Sequence, residues 1–249
     1  MPDDDVARLV ADMLSWRRAR EPDACDARLA LAVAHRIAGG ARVAWEDLVA
    51  LARDAGAPSE AGADAGVASG AGAHCDIGAH SDAGDGPQAR AERVAALAER
   101  TDDGSIVGIH GLSVEPTAYT LTLPGGRRGT WCALDTVFLP PLLGQEATVA
   151  GHCAVTKAPV SLSVAADGRL HAAEPATLVL TVPVPDPAAP PRTHDELRAT
   201  FCARSRFAVD AATATGLVGG TATVEVLDLD AAQRVGRGIA EGLRARAGA

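Results

Sequence analysis

The chain predicts an α+β fold, and three features of its sequence say so. Apolar residues recur at helical spacing in the N-terminal part. Short runs rich in Thr, Val and Leu, punctuated by Gly and Pro, fill the second half. Between blocks of the helical part lies a tract of Gly, Ala, Asp and Ser. The expected organisation is a helical, winged-helix-like N-terminal region over residues 1–123, interrupted by an insertion at 56–88, and then a mixed α/β domain over 124–249. With 249 residues, 47% of them hydrophobic, and a mean hydropathy of +0.08, the chain is long enough to bury a substantial core.

In chain order, Val6, Leu9, Val10, Met13 and Leu14 fall on one face of a helix over residues 5–18. Cys25, Leu29, Val33 and Ile37 repeat that stripe, and Gly39-Gly40 stops it. Trp45–Ala55 is a third short helix. From Gly56 to Gln88 the large aliphatics are only Val67 and Ile77, too few to offset the entropy of ordering, so this segment reads as a disordered linker or insertion. Cys75 lies in it with His74 and His80: either incidental residues of a flexible tract or an accessory metal-catching loop. Helix returns over Ala89–Glu99. Strands follow at Ile106–Ile109 and Ala118–Leu123, separated by turn signals. Short helices, then strand, turn and strand, form the outline of a winged helix-turn-helix. The last helix before the wing balances Arg90, Arg93 and Arg100 against Glu92 and Glu99, which is a poor surface for DNA.

In the second half, Pro140-Pro141 should break any long helix after Thr130. Strands are expected at Ala147–Gly151, Val160–Val164, Thr177–Pro183, Arg206–Val209 and Thr221–Leu227, with a proline-rich loop over 183–191 and a short helix over His194–Thr200. The last helix carries Val235, Ile239 and Leu243 in one stripe with Asp230 as its N-cap, although Gly236, Gly238 and Gly242 weaken it.

A formal net charge of −9 disfavours non-specific binding to nucleic acid or anionic membranes. Five cysteines do not fit a fully paired secreted framework. The N-terminus, Met1-Pro2-Asp3-Asp4-Asp5, shows no signal-peptide pattern, and no apolar run approaches a transmembrane span. A cytoplasmic protein with thiols free for chemistry or soft metals is the expectation.

The chemistry centres on Trp131-Cys132-Ala133-Leu134-Asp135, with a second thiol at Cys202. Thiolates select soft metals, and a carboxyl group can carry a proton to or from a bound ligand. If the segment turns helically, Cys132 and Asp135 share a face. Cys132 reads either as this thiol or as a small buried hydrophobe. Trp131 and Phe138 read either as a water-excluding wall that raises the carboxyl pKa or as ordinary core. Arg204 and Arg206 either favour the thiolate of Cys202 or face solvent. His152-Cys153 has ligand chemistry, but neighbours on a strand point to opposite faces. Paired C-x2-C spacings, a P-loop, a dinucleotide fingerprint and the H-E-x-x-H and G-x-S-x-G motifs are all missing.

These residues resemble the alkylmercury (organomercurial) lyases. The likeness rests on Trp131–Thr136, Phe138-Leu139-Pro140, Leu142-Leu143-Gly144, His152-Cys153-Ala154, Ala158–Leu162 and Phe201-Cys202, and it covers most of 24–54 and 89–247. It implies that Cys132 and Cys202 are the active-site cysteines, Asp135 the active-site aspartate and Cys153 a structural cysteine. Ala203 stands where some relatives carry a further cysteine, and the tract with Cys75 is outside the usual pattern. The implied reaction is protonolysis of a carbon–mercury bond to a hydrocarbon and Hg(II), the metal held by Cys132, Cys202 and Asp135. No cofactor is implied. Small thiols would deliver the substrate and remove Hg(II), and a mercuric reductase is a candidate recipient. The rival reading is a soft-metal-binding protein or metal-responsive regulator without turnover; capture alone needs no acid beside Cys132.

Overall fold

The computed structural model describes residues 1–18, 23–57, 86–186, 188–219 and 223–249. Most of the 56–88 insertion, with His74, Cys75 and His80, lies outside the described residues. Four helices come first: α1 (Asp3–Arg18), α2 (Ala24–Ala38), α3 (Trp45–Gly56) and α4 (Pro87–Ala96). The α1 stripe buries Val6, Leu9, Met13 and Trp16. Asp23 caps α2 by accepting the Asp26 N–H at 2.7 Å. Asp26 itself is buried and accepts from Arg93 of α4 at 2.8 and 2.9 Å, which ties α2 to α4.

Eight strands form one antiparallel sheet: β1 (Glu99–Arg100), β2 (Ile106–Ile109), β3 (Leu112–Ser113), β4 (Tyr119–Leu123), β5 (Gly126–Thr130), β6 (Ala147–His152), β7 (Pro159–Val164) and β8 (Leu170–Glu174), in the order β1-β2-β3-β5-β4-β6-β7-β8. A second antiparallel sheet has β9 (Val179–Pro183) between β10 (Phe207–Ala208) and β11 (Val224–Leu227). Between β5 and β6 runs α5 (Asp135–Leu143); α6 (His194–Thr200), α7 (Ala211–Ala214) and the C-terminal α8 (Leu229–Ala247) complete the chain. The chain is thus mixed α/β with antiparallel sheets.

Four departures from the sequence expectations have physical causes. First, β5, Gly-Arg-Arg-Gly-Thr, has poor strand composition, yet it is paired on both sides, to β4 and to β3. Tertiary pairing overrides local propensity here. Second, β8 was also missed; its Leu-His-Ala-Ala-Glu run has no buried residue and lies at the sheet edge. Third, α5 passes through Pro140 and Pro141 and ends only at Gly144, whose φ of 64° is left-handed. The segment is buried along its whole length, and packing against α8 holds it despite the missing donors. Fourth, α8 is capped by Asp228, not Asp230: the Asp228 side chain accepts the Ala231 N–H at 2.7 Å. The glycines that weakened α8 on paper explain its packing. A Cβ at Gly236 would stand 2.6 Å from the Val137 carbonyl oxygen, so only glycine lets α8 lie this close to α5.

The β4–β5 hairpin, five register pairs long, spans residues 119–130 and so crosses position 123. Among the described residues no helix is long and apolar enough to cross a membrane.

Candidate active site

Strand β5 ends at Thr130 and α5 begins at Asp135, so Trp131–Leu134 is a tight connection between two buried elements. Asp135 opens the helix and folds back: its Oδ2 accepts the Cys132 N–H at 2.8 Å. The carboxyl group therefore closes the turn that leads into the helix while lying beside the thiol three residues earlier. Thr136 Oγ1 donates to the Ala133 carbonyl at 2.7 Å and fixes the turn from the other side.

Cys202 arrives from the far part of the chain, on a 3-10 turn (Cys202–Arg204) directly after α6. Ser205 joins the two thiol-bearing segments. The Ala133 N–H donates to its carbonyl at 3.1 Å, and the Leu134 N–H to its hydroxyl at 3.1 Å. Ser205 is fully buried, so these bonds are shielded from water.

The result is a compact triad. One sulfur each from Cys132 and Cys202 and one carboxylate oxygen from Asp135 all lie within 4.8 Å of one another, and all three residues are buried. Burial pushes the Asp135 carboxyl well above the ordinary 3.8, and the neighbouring Cys132 sulfur pushes it further; the Arg17 cation pulls the other way. Burial likewise raises the Cys132 thiol, reinforced by Cys202 and opposed by hydrogen bonds from Ser205 and the Asp135 segment. Two negative charges at this spacing in a dry space repel strongly, so the resting site keeps its protons.

Beside Asp135 and Cys202 lies a small, largely enclosed chamber of about 20 Å³, room for one water-sized group. Its cover comes from the N-terminal half: Met13, Trp16 and Arg17 of α1, and His110-Gly111 at the tip of the β2–β3 hairpin. That tip is a two-residue turn with φ of 53° at His110 and 92° at Gly111, the left-handed geometry of a tight hairpin. A Cβ at Gly111 would fall 2.2 Å from Asp135 Cγ, so the carboxyl group occupies the place of the missing side chain. The Trp131 N–H donates to the Gly111 carbonyl at 2.8 Å and locks the hairpin onto the Trp131–Asp135 segment. Arg17 donates to His110 Nδ1 at 3.2 Å, and its guanidinium lies 4.9 Å from the Phe138 ring centroid.

The structure brings Cys132, Asp135 and Cys202 together and leaves Cys153 out of that group. Cys153 is a buried free thiol whose sulfur accepts the Thr156 N–H at 3.4 Å. Trp131 lines the chamber together with Trp16 and Phe201, whose rings lie 5.2 Å apart and tilted by 36°, and its own ring meets His194 edge-on at 4.5 Å. Phe138 lies beneath Arg17 in the core. Arg204 donates to the Gly219 carbonyl and Arg206 to the Ala203 carbonyl. Sequence reasoning missed Arg17, Ser205 and the His110-Gly111 turn. Only the last left a local trace, a His-Gly pair between two apolar β segments.

Comparisons with known proteins bear on the family and the fold. The alkylmercury lyase family model matches residues 112–241, a span that holds the whole triad. An alkylmercury lyase of Pseudomonas putida is 32% identical over 158 residues, 61% of this chain and 71% of the relative. One of Streptomyces lividans is 33% identical over 159 residues, 63% of this chain and 70% of the relative. The mercury-bound form of MerB2 shares the fold, with a TM-score of 0.67 at 18% identity over 97% of this chain and 100% of that one. On the family match and these relatives, the chain belongs to the alkylmercury lyase family.

Proposed function

We propose that Cys132, Asp135 and Cys202 are the groups that cut the bond in this enzyme. The chain is an organomercurial lyase: it cleaves carbon–mercury bonds by protonolysis to give a hydrocarbon and Hg(II). The observation that carries the residue assignment is the buried triad, two sulfurs and a carboxyl oxygen within 4.8 Å.

An organomercurial R–Hg–X reaches one thiol, which loses its proton as sulfur bonds to mercury and X departs. The second sulfur then adds. Two-coordinate mercury is linear, and a further thiolate raises its coordination and shifts electron density onto carbon. Asp135, whose carboxyl is kept protonated by burial, delivers that proton to carbon as the Hg–C bond breaks. The proton of the first thiol leaves with X as HX, and the proton released by the second thiol replaces the one given to carbon, so Asp135 ends as it began. Hg(II) stays on Cys132 and Cys202 with the Asp135 oxygen in reach. The chemistry calls for no cofactor. Sulfur holds the metal and Asp135 moves the proton.

In this reading residues 124–249 supply the reacting groups, and 1–123 cover them through Met13, Trp16, Arg17, His110 and Gly111. Cys153 keeps its structural part at the turn after β6. External small thiols carry the substrate in and help remove Hg(II), which passes to a mercuric reductase. A reducing cytoplasm is the setting that keeps the triad's sulfurs as thiols. A binder without turnover is disfavoured, because capture of Hg(II) gains nothing from a neutral acid buried against the thiol.

The test is hydrocarbon release from phenylmercury or methylmercury with excess small thiol, comparing the wild type with Cys132→Ser, Asp135→Asn and Cys202→Ser. Release by the wild type, lost in all three variants while Asp135→Asn still binds mercury, supports the assignment. Tight binding of mercury by the wild type with no hydrocarbon overturns it.

A further inference from the structure

On the far side of Trp131 and Cys202 from the small chamber lies an open cleft of about 740 Å³. The two residues line both spaces, so Cys202 is the meeting point of the small interior chamber and a solvent-facing groove. The chain carries a net charge of −9, yet this groove is lined by Lys157, Arg198 and Arg206 against a single carboxylate, Asp195. The cations are held by neutral partners. Lys157 Nζ donates to the Ala154 carbonyl at 2.8 Å, Arg206 Nε donates to the Ala203 carbonyl, and the Arg198 guanidinium lies 6.0 Å from the Trp131 ring centroid. Their charges are left uncompensated by these contacts. A groove of this sign attracts anions and concentrates them at its foot.

We propose that this cleft docks the carrier of the substrate, an anionic thiol whose carboxylates are met by Lys157, Arg198 and Arg206 while its mercury is presented to Cys202. The inference rests on the lyase reading. The chemical step at the foot of the cleft is thiol exchange. Cys202 sulfur bonds to mercury, the bond from mercury to the carrier's sulfur breaks with its electron pair on that sulfur, and the Cys202 proton ends on the departing carrier thiol. R–Hg remains on Cys202, within reach of Cys132 and Asp135. This assigns the first capture to Cys202, since Cys202 lines the cleft and Cys132 and Asp135 do not.

The experiment compares kcat/KM for phenylmercury carried by mercaptosuccinate, which is anionic, with phenylmercury carried by the neutral 2-mercaptoethanol, at low salt. The wild type is expected to favour the anionic carrier about tenfold, as the combined effect of several exposed charge contacts. That ratio should fall to near one in a Lys157→Gln/Arg198→Gln/Arg206→Gln variant, and in the wild type at high salt, where such contacts are screened. The remote Arg8→Gln variant controls for net charge and should leave the ratio alone. A ratio untouched by the triple variant, or moved as much by Arg8→Gln, overturns the cleft. Absence of hydrocarbon with every carrier in the wild type fails at the earlier step and overturns the lyase reading itself.

Discussion

Among the described residues two aspartates are buried almost completely, Asp26 at 1% exposure and Asp135 at 4%, and their surroundings could hardly differ more. Asp26, on α2, faces cations: Arg93 bonds both its oxygens, and Arg90 Nε is 3.6 Å away. Asp135 faces a backbone N–H, a thiol and the chamber, with Arg17 acting on it only as a neighbouring charge. Burial raises both carboxyl groups, but at Asp26 the Arg93 hydrogen bonds pull back toward the anion. At Asp135 the sulfur adds to the rise. A carboxylate meant to hold helices together is given guanidinium partners. The one proposed to move a proton is denied them, and the fold carries the cost of a neutral acid in its interior.

The sharpest break of this contrast is to remove each acid in turn. Asp135→Asn should lower hydrocarbon release on the order of 10²–10⁴-fold, read as single-turnover product yield, with mercury binding retained. Its effect on stability should have the opposite sign. The raised pKa means that, as pH climbs above 3.8, the unfolded chain sheds a proton that the folded protein keeps, so Asp135 destabilises the wild type increasingly with pH. The Tm difference, Asp135→Asn minus wild type, should therefore widen upward from pH 4 to pH 7. A constant difference would mean that Asp135 is an ordinary carboxylate.

Next in size is Gly111→Ala. The alanine Cβ would overlap the Asp135 carboxyl at a backbone φ of 92°, so the acid must move. A displacement of about 1 Å can cost on the order of 100-fold in rate. The expected signature is a fall in kcat with Hg(II) still held by the two sulfurs. Unchanged kcat would show that the hairpin tip does not position the acid.

The same contrast shows what was legible in the sequence. Cys132, Asp135 and Cys202 were readable because their chemistry is unusual and their spacing is local or carried by the family likeness. The helices of α1, α2 and α8 were readable because their apolar stripes are regular. Arg17 and Ser205 were not, for their roles arise from contacts more than seventy residues apart in sequence, such as Arg17 with His110 and Leu134 with Ser205. β5 was missed because its glycines and arginines have no strand preference of their own, and only pairing makes them a strand. Asp26 resembled any first-turn acid until α4 placed Arg93 against it.

At the other pole, Asp26→Asn should leave turnover per folded molecule near the wild-type level and lower stability. Breaking a buried ion pair costs about 3–5 kcal/mol, and the low end applies because Arg93 is 31% exposed to water. Urea unfolding reads this directly. A lost kcat with unchanged stability would erase the division between the two acids.

The smallest effect tests a cation that Asp135 does feel, Arg17. Arg17 favours the Asp135 carboxylate, so Arg17→Gln should raise its pKa further. Since the reactive form is the protonated acid, turnover declines as pH rises through that pKa, and the variant's decline should begin at higher pH. The gain is a few-fold and confined to the alkaline limb. Arg17 also packs on Phe138 and bonds His110, so a loss of packing mimics a loss of charge. Arg17→Lys separates the two: it keeps the charge without the planar fork and should return the limb toward its wild-type position. A limb that moves to lower pH in Arg17→Gln, or that Lys fails to restore, would mean that Arg17 serves the chamber as a wall and not through its charge.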